Sequence, residues 1–416
     1  MEKKVVIETM NIGVLTYHFV PNFGAQLQTM STIGFIKKTG HNPILLHWHP
    51  KDFEQLYTGR VPESQLICQK NFAQNNFPLS SLCENEEDLV KEIERNNLGL
   101  IITGSDALFK YMPLSERTFF SKRKLKFVKR KVFSFEEIDS NPFFCTYYEK
   151  LENKIPVVAF SVSSQNCDYC RMSNKELLIM RDSLNNFRYI STRDEWTKRM
   201  VEYVTRKNYI EITPDPVFAF NYNCYVNIPT KDEIREKYNL PENYVLISFW
   251  TNTISPSYVE ELSAELISNN LTPVAFPMPE GLLSYGIKCT VNLPLSPIDW
   301  YAIIIHSKGY IGERMHPIIV CLHNSVPFFV FDEYGIEKKY LGGLYKKYIK
   351  DSSKTYHIVT KAGVANNLYS YKSREAFPST KEVVYRLLSF DIKKCSLFSN
   401  NQYIEYLDTM QKILKY

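Results

Sequence analysis

Two α/β domains are the fold class this sequence predicts, and three observations predict it. The chain has 416 residues, more than one hydrophobic core ordinarily supports. Short apolar runs such as Leu98–Thr103 and Tyr244–Trp250 alternate with helical stretches, the pattern of parallel sheets covered by helices. That alternation runs twice, on either side of a proline-containing linker at 221–229. The predicted boundaries are an N-terminal domain at 1–222, carrying a basic insertion at about 110–148, and a second domain at 230–390. Residues 391–416 are expected to return to the first domain as an amphipathic helix centred on Gln402–Leu414.

Ile12–Tyr17 reads as the first strand, a turn at Val20–Gly24 follows, and a helix runs from Ala25 to Lys38 with Gly40 closing it. Pro43–Trp48 completes a β-α-β unit. Asn22 and Gly24 sit at the helix start, where a small residue lets backbone approach a ligand, although the turn lacks the three-glycine dinucleotide fingerprint. Residues 51–95 read as irregular up to an acidic helix, Glu84–Arg95. The apolar strand from Leu98 ends in Gly104-Ser105-Asp106, polar groups at a strand's C-terminal end. In the insertion, Lys122–Lys131 interleaves basic and apolar residues. It reads as a solvated loop or, alternatively, as a lid or a patch for anionic lipid. Ile155–Ser163 is another strand, Lys175–Asn185 a helix, and the strand from Tyr189 ends at Ser191-Thr192-Arg193-Asp194-Glu195 before a helix at Trp196–Val204. Ile212–Phe218 closes this half.

In the second half, helices at Lys231–Tyr238, Tyr258–Asn269 and Ile298–His306 alternate with strands at Tyr244–Trp250, Thr272–Phe276 and Phe328–Phe331. Between the last helix and strand lies Gly312-Glu313-Arg314-Met315-His316-Pro317. Pro317 suits the first position of a helix, and Ile318–Leu322 reads as that helix, short and buried. Arg314 and His316 are thereby placed on a loop at a helix N-terminus, beyond the end of a parallel strand. Unpaired N–H groups there favour an anion, a guanidinium matches phosphate or carboxylate, and an imidazole exchanges protons near neutral pH. The simpler alternative is a structural ion pair for Arg314 and a helix-capping role for His316.

Composition narrows the function classes. A net charge of +5 with a pI near 8.5 is too small to argue for nucleic acid and fits an anionic small molecule or membrane surface. Aromatic residues make up 14%, most of them expected in the cores. Nine irregularly spaced cysteines form no disulfide framework, and Cys167-x-x-Cys170 has no second pair, so no metal is predicted. Met1–Thr9 has no secretory pattern, and no apolar run reaches the length of a membrane span. The expected location is cytoplasmic, at most peripheral at the inner face of a membrane.

From Ile12 to Leu341 the chain resembles the polysaccharide pyruvyl transferase family. The matching features are Asn22-Phe23-Gly24-Ala25 with Leu27-Gln28, Gly104-Ser105-Asp106, the Ala159–Ser163 strand end, Ser191-Thr192-Arg193-Asp194-Glu195, Asp215-Pro216 and Arg314-Met315-His316-Pro317. Each motif is weak alone, but their order and spacing are specific. The resemblance implies two Rossmann-like domains of the glycosyltransferase-B type. It also implies transfer of the enolpyruvyl unit of phosphoenolpyruvate to two hydroxyls of one sugar, forming a ketal and releasing phosphate. No cofactor beyond that co-substrate is implied, and the acceptor would be a sugar of a surface polysaccharide or a lipid-linked oligosaccharide precursor. Arg193, Arg314 and His316 would be donor-site residues, with Lys338 or Lys339 as the lysine downstream of the histidine motif, and Asn22, Gly24, Gly104 and Ser105 at the turns that admit the donor. His316 is the leading candidate for proton transfer, and Asp106 and Asp194 are weaker ones that would otherwise orient a helix or an arginine. The family's usual aromatic residue after the Gly-Ser-Asp turn is here Phe109 rather than Trp, and the basic insertion follows it, so the acceptor side departs most. The rival enzyme reading is a nucleotide-sugar-dependent glycosyltransferase on the same fold.

Overall fold

A computed structural model describes residues 9–121, 124–250, 254–340 and 345–416, without the side chains of residues 339, 340 and 345. The first half contains β1 (Asn11–Leu15), α1 (Phe23–Lys38), β2 (Asn42–Trp48), α2 (Asp52–Tyr57), α3 (Glu63–Asn76), β3 (Leu79–Cys83), α4 (Glu86–Arg95) and β4 (Leu100–Thr103). A hairpin of β5 (Thr118–Ser121) and β6 (Lys126–Lys129) follows, then β7 (Val157–Val162), α5 (Asn174–Asn185), β8 (Tyr189–Thr192), α6 (Glu195–Thr205) and β9 (Glu211–Ile212). Apart from the hairpin, these strands form a parallel seven-stranded sheet in the order β3-β2-β1-β4-β7-β8-β9. The strand order reverses between β1 and β4. At such a switch point the crossover helices diverge to opposite faces and leave a crevice at the strands' C-terminal ends.

The second half repeats the device. After α7 (Phe220–Asn223) and α8 (Lys231–Tyr238) come β10 (Tyr244–Ser248), α9 (Pro256–Ser268), β11 (Thr272–Ala275), β12 (Cys289–Thr290), α10 (Pro297–Ile305), β13 (Gly309–Gly312), α11 (Met315–Asn324) and β14 (Phe328–Asp332). A hairpin of β15 (Ile336–Tyr340) and β16 (Tyr345–Ile349) precedes α12 (Lys354–Lys361), β17 (Leu368–Ser370), α13 (Thr380–Leu388) and α14 (Ile392–Ile413). The parallel six-stranded sheet runs β12-β11-β10-β13-β14-β17, with its switch point between β10 and β13. Loops after β1 and β4 face loops after β10, β11, β13 and β14 across one cavity, so the two switch points confront each other.

Helix α1 joins the halves. Its residues from Phe23 to Ile36 are all buried, because one side packs on the first sheet and the other on α10, α11 and the turn at Pro216–Ala219. Phe23 stacks on Trp300 at 5.2 Å, and one continuous apolar cluster takes in Leu27, Met30, Tyr301, Ile318 and Leu322. At Gly34 the helix comes so close to the segment of Asn223 that a Cβ would lie 1.9 Å from its carbonyl oxygen. Helix α14 starts on the second half, where Ser399 Oγ donates to His323 O at 3.0 Å. It ends on the first, with Tyr406 edge-on to Phe35 and Phe160 and Lys412 paired to Glu211.

Four sequence expectations need correction. Residues 51–95 are not irregular before their acidic helix: they hold α2, α3 and β3. The buried face of α3 consists of Gln65, Gln69 and Ala73, so no apolar stripe announces it. Helix α11 begins at Met315, with Arg314 as its N-cap, so Pro317 takes the third helical position, still within the turn where its missing N–H costs nothing. Helix α14 begins at Ile392, well before the Gln402–Leu414 stretch read as amphipathic, because Asp391 caps it by accepting from Lys394 N. Part of the basic insertion pairs as the β5–β6 hairpin, while Lys122 and Arg123 lie outside the described residues.

Candidate active site

Two helix N-termini, one from each half, meet in this cleft. Asn22 caps α1, its side-chain oxygen accepting from Gly24 N at 3.1 Å and Ala25 N at 3.4 Å. Across from it α11 has no side-chain cap, because its N-cap residue is Arg314. Arg314 thus caps none of the first N–H groups of α11, and both helix dipoles favour an anion between them. The cavity between them encloses about 250 Å³ and is lined by Asn22, Gly24, Asp106, Arg314, His316 and Lys354 among others.

His316 lies in the first turn of α11, with its ring against the backbone of Gly24. A Cβ on Gly24 would stand 2.1 Å from His316 Cγ, so only glycine lets the two halves approach this closely. Burial pushes the imidazole down to about 4, with Arg193 and Lys354 acting in the same direction against Asp106 and Asp215. The ring is thus neutral at pH 7, and its buried Nε2 has no partner among the described residues. A neutral, unpartnered imidazole beside a cavity is fit to accept a proton.

The cationic groups come from both sheets. Arg314 is held in place by Glu280 at 3.1 Å and by Met278, whose sulfur accepts from Nε at 3.3 Å. Lys354 occupies the first position of α12, an unfavourable end for a cation, and its ammonium stands over the Tyr334 ring at 4.9 Å. Ser353, the N-cap before it, donates to buried Asp332 at the end of β14 at 2.6 Å, which fixes where Lys354 enters the cleft. Burial lowers the Lys354 ammonium to about 8, helped by the charge of Arg193. Asp106, in the left-handed region at φ 102, accepts from Ala107 N at 2.7 Å and faces the same space. Burial opposes its charge, but His316, Arg193 and Lys354 together hold its carboxyl below the usual range.

The structure thus brings together Asn22, Gly24, Asp106, Arg314 and His316. Arg193 is not in the cavity wall. Its guanidinium is buried and divided between Asp215 at 2.9 Å and Asp106 at 3.4 Å, so its fork orients Asp106 from behind. Gln28 of α1 donates to the same Asp215 oxygen at 2.6 Å, tying this network to the interface helix. Asp194 also stands outside the wall, capping α6 by accepting from Thr197 N while Ser163 donates to its other oxygen. Gly104 packs where a Cβ would lie 2.0 Å from Phe160 O, and the Ser105 carbonyl accepts from Thr16 Oγ1 at 2.9 Å, so both shape the turn that presents Asp106. Lys338 points to Asp168 at 3.9 Å instead of into the cavity, and the Lys339 side chain lies outside the described residues. Phe109 is fully buried against Phe144 and forms core, not acceptor surface. Sequence reasoning missed Lys354 and the aromatic wall of Tyr17, Phe53, Tyr57 and Phe135. Among the described residues no cluster of His, Cys, Asp and Glu is arranged to hold a metal, and no helix is long and apolar enough to cross a membrane.

Two parallel α/β domains with facing switch points define the type-B glycosyltransferase architecture, shared by sugar-nucleotide epimerases. The chain is similar to the UDP-GlcNAc 2-epimerase of Methanocaldococcus jannaschii, with TM-score 0.51, 8% identity and coverage of 94% of this chain and 99% of that one. It is also similar to the glycosyltransferase SnogD of Streptomyces nogalater, with TM-score 0.47, 10% identity and coverage of 98% and 99%. No curated protein matches the chain by sequence. Residues 22–333 match the polysaccharide pyruvyl transferase family, and the chain belongs to it.

Proposed function

We propose that the protein transfers the enolpyruvyl unit of phosphoenolpyruvate onto a sugar of a polysaccharide or lipid-linked oligosaccharide precursor, forming a pyruvate ketal and releasing inorganic phosphate. The observation that carries this reading is the convergence of two helix N-termini, Arg314 and Lys354 on a cavity of about 250 Å³ beside a neutral His316. Phosphoenolpyruvate carries a carboxylate and a phosphate, and the uncapped α11 terminus, the Arg314 fork and the Lys354 point charge suit two such groups.

In this mechanism the methylene carbon of the donor takes a proton and the adjacent carbon gains cationic character. One sugar hydroxyl adds to that carbon and loses its proton. The second displaces phosphate, which leaves with the second hydroxyl's proton. His316 takes the hydroxyl proton through Nε2, while Arg314 and Lys354 stabilise the departing phosphate. Asp106, held ionised, balances the charge that His316 acquires.

Phosphate release and mass spectrometry of a lipid-linked oligosaccharide incubated with phosphoenolpyruvate test the reading. Release of a nucleoside diphosphate from a nucleotide sugar instead would establish the glycosyltransferase alternative. Arg314→Lys should weaken donor binding about tenfold to a hundredfold, the loss of a charge-assisted fork. His316→Ala should lower kcat about 10²–10⁴-fold while calorimetric donor affinity changes far less. Near-normal turnover in His316→Ala would remove the proton-transfer role.

A further inference from the structure

The β5–β6 hairpin stands apart from the chemistry just described. No Asp or Glu occurs between Arg117 and Phe135, while Lys124, Lys126, Lys129, Arg130 and Lys131 all lie in this stretch and are exposed. Among the described residues no carboxylate lies within ion-pairing distance of these five. The apolar side chains at the tip are equally uncovered: Leu125 is 80% exposed, Phe127 72% and Phe120 50%. The register sets Phe120 opposite Phe127, with their rings 5.4 Å apart, and Thr118 opposite Lys129 on the same face. Lysines on an exposed hairpin serve to block edge-to-edge pairing, but that role does not account for uncovered phenylalanine and leucine at its end.

We infer that this hairpin docks the protein on an anionic bilayer, with Leu125 and Phe127 entering the headgroup layer and the surrounding lysines meeting acidic lipids. Charge complementarity selects the occupant: exposed apolar side chains flanked by cations that, among the described residues, have no carboxylate partner match an interface that is negative outside and apolar within. The hairpin is also rooted in the cleft wall. Lys131 donates to Gln55 at 3.0 Å, and Ser134 donates to the Asp52 carboxylate through N at 2.7 Å and Oγ at 2.8 Å. Phe133 stacks on Phe135 at 5.7 Å, and Phe135 lines the cavity with Phe53 and Tyr57 of α2. Docking through this hairpin would therefore hold the aromatic side of the cleft near the membrane surface, where a lipid-carried sugar is presented.

The test uses the full chain with vesicles and neither substrate, so its outcome does not depend on the transfer reaction. Vesicles of phosphatidylcholine alone are compared with equal mixtures of phosphatidylcholine and phosphatidylglycerol by co-sedimentation. The wild type should bind the mixed vesicles and not the neutral ones. A Lys124→Gln, Lys126→Gln, Lys129→Gln variant should bind about a hundredfold more weakly, at about fivefold per lysine. A Leu125→Ser, Phe127→Ser variant, with its charge intact, should bind at least about tenfold more weakly. Both should keep the wild-type melting temperature, since every substituted side chain is exposed. In Phe127→Trp the added emission should shift to the blue on mixed vesicles and be quenched by brominated lipid. No lipid-dependent sedimentation of the wild type, equal binding to neutral vesicles, or an unshifted probe would overturn the proposal. So would undiminished binding of the serine variant beside loss in the glutamine variant, which would mark a surface for polyanions such as nucleic acid.

Discussion

His316 has little room to turn, and Gly24 is the reason. A single methyl at that position would meet the ring at 2.1 Å, so Gly24→Ala must displace either the imidazole or the start of α1. Misplacing a catalytic group by an ångström costs about 10²-fold in rate, so kcat should fall by about that factor although no reacting group has been removed. Single-turnover kinetics read this, and an unchanged rate would mean that the ring's position does not matter. Lys354 yields a pH prediction with a definite sign. Its ammonium titrates near 8, and a bound dianion favours the charged form, so donor binding near pH 8 should take up protons and weaken as pH rises further. Calorimetry in buffers of different ionisation enthalpy measures that uptake. Because its folded value lies below the unfolded one, the buried ammonium costs stability below pH 8, and the cost fades as pH rises through the Lys354 titration. Lys354→Met should thus be no less stable at pH 7 while losing donor affinity, the opposite of a structural lysine. Arg314 and His316 were legible because two ionisable groups flank a strand-to-helix turn. Lys354 was not, because the β15–β16 hairpin separates it from that turn and its place depends on Ser353 meeting Asp332. A lysine opening a helix, where the dipole disfavours it, was the available signal.

Among the elements, α1 and α3 show what periodicity reveals and what it hides. The alternation of strand and helix made the central strands of both sheets legible, since parallel strands buried on both faces read as continuous apolar runs, whereas β3, β12 and β17 went unread. Helix α3 left no such trace. Gln65 turns inward and binds the Leu295 backbone twice, donating at 3.0 Å and accepting at 2.7 Å, so a buried face was written in glutamine. Helix α1 was found, but its burial on every side was not, because Gln28, Thr29, Ser31 and Thr32 look like a solvent face. Each finds a partner inside: Ser31 donates to Pro216 O at 2.7 Å, and Thr32 donates to Gln28 O at 3.0 Å. Close packing at the other end of α1 makes Gly34→Ala an informative change. The added methyl would meet backbone at 1.9 Å, which no side-chain rotation relieves. We expect a loss of about 1–3 kcal/mol in urea unfolding, with kcat affected less than by Gly24→Ala.

At the scale of the whole molecule, two domains were predicted and two sheets are present, yet one apolar cluster runs from Ile12 of the first to Ile413 of α14 through α10 and α11 of the second. Separate cores would melt separately; a shared one couples the halves. Urea unfolding should therefore give one transition, coincident by tryptophan fluorescence and far-UV circular dichroism, and two resolved steps would show that the shared cluster does not couple them. Helix α1 has a consequence for how this protein can be taken apart. Cutting the chain between 224 and 229, after α7, would strip the second half from the back of α1 and leave greasy, ill-matched surfaces on both fragments. Neither piece would be recovered in good yield alone, whereas the two produced together in one cell would reassemble. By the same logic, a gene fusion that swapped one half for that of a distant relative would fail at α1 long before any question of substrate arose.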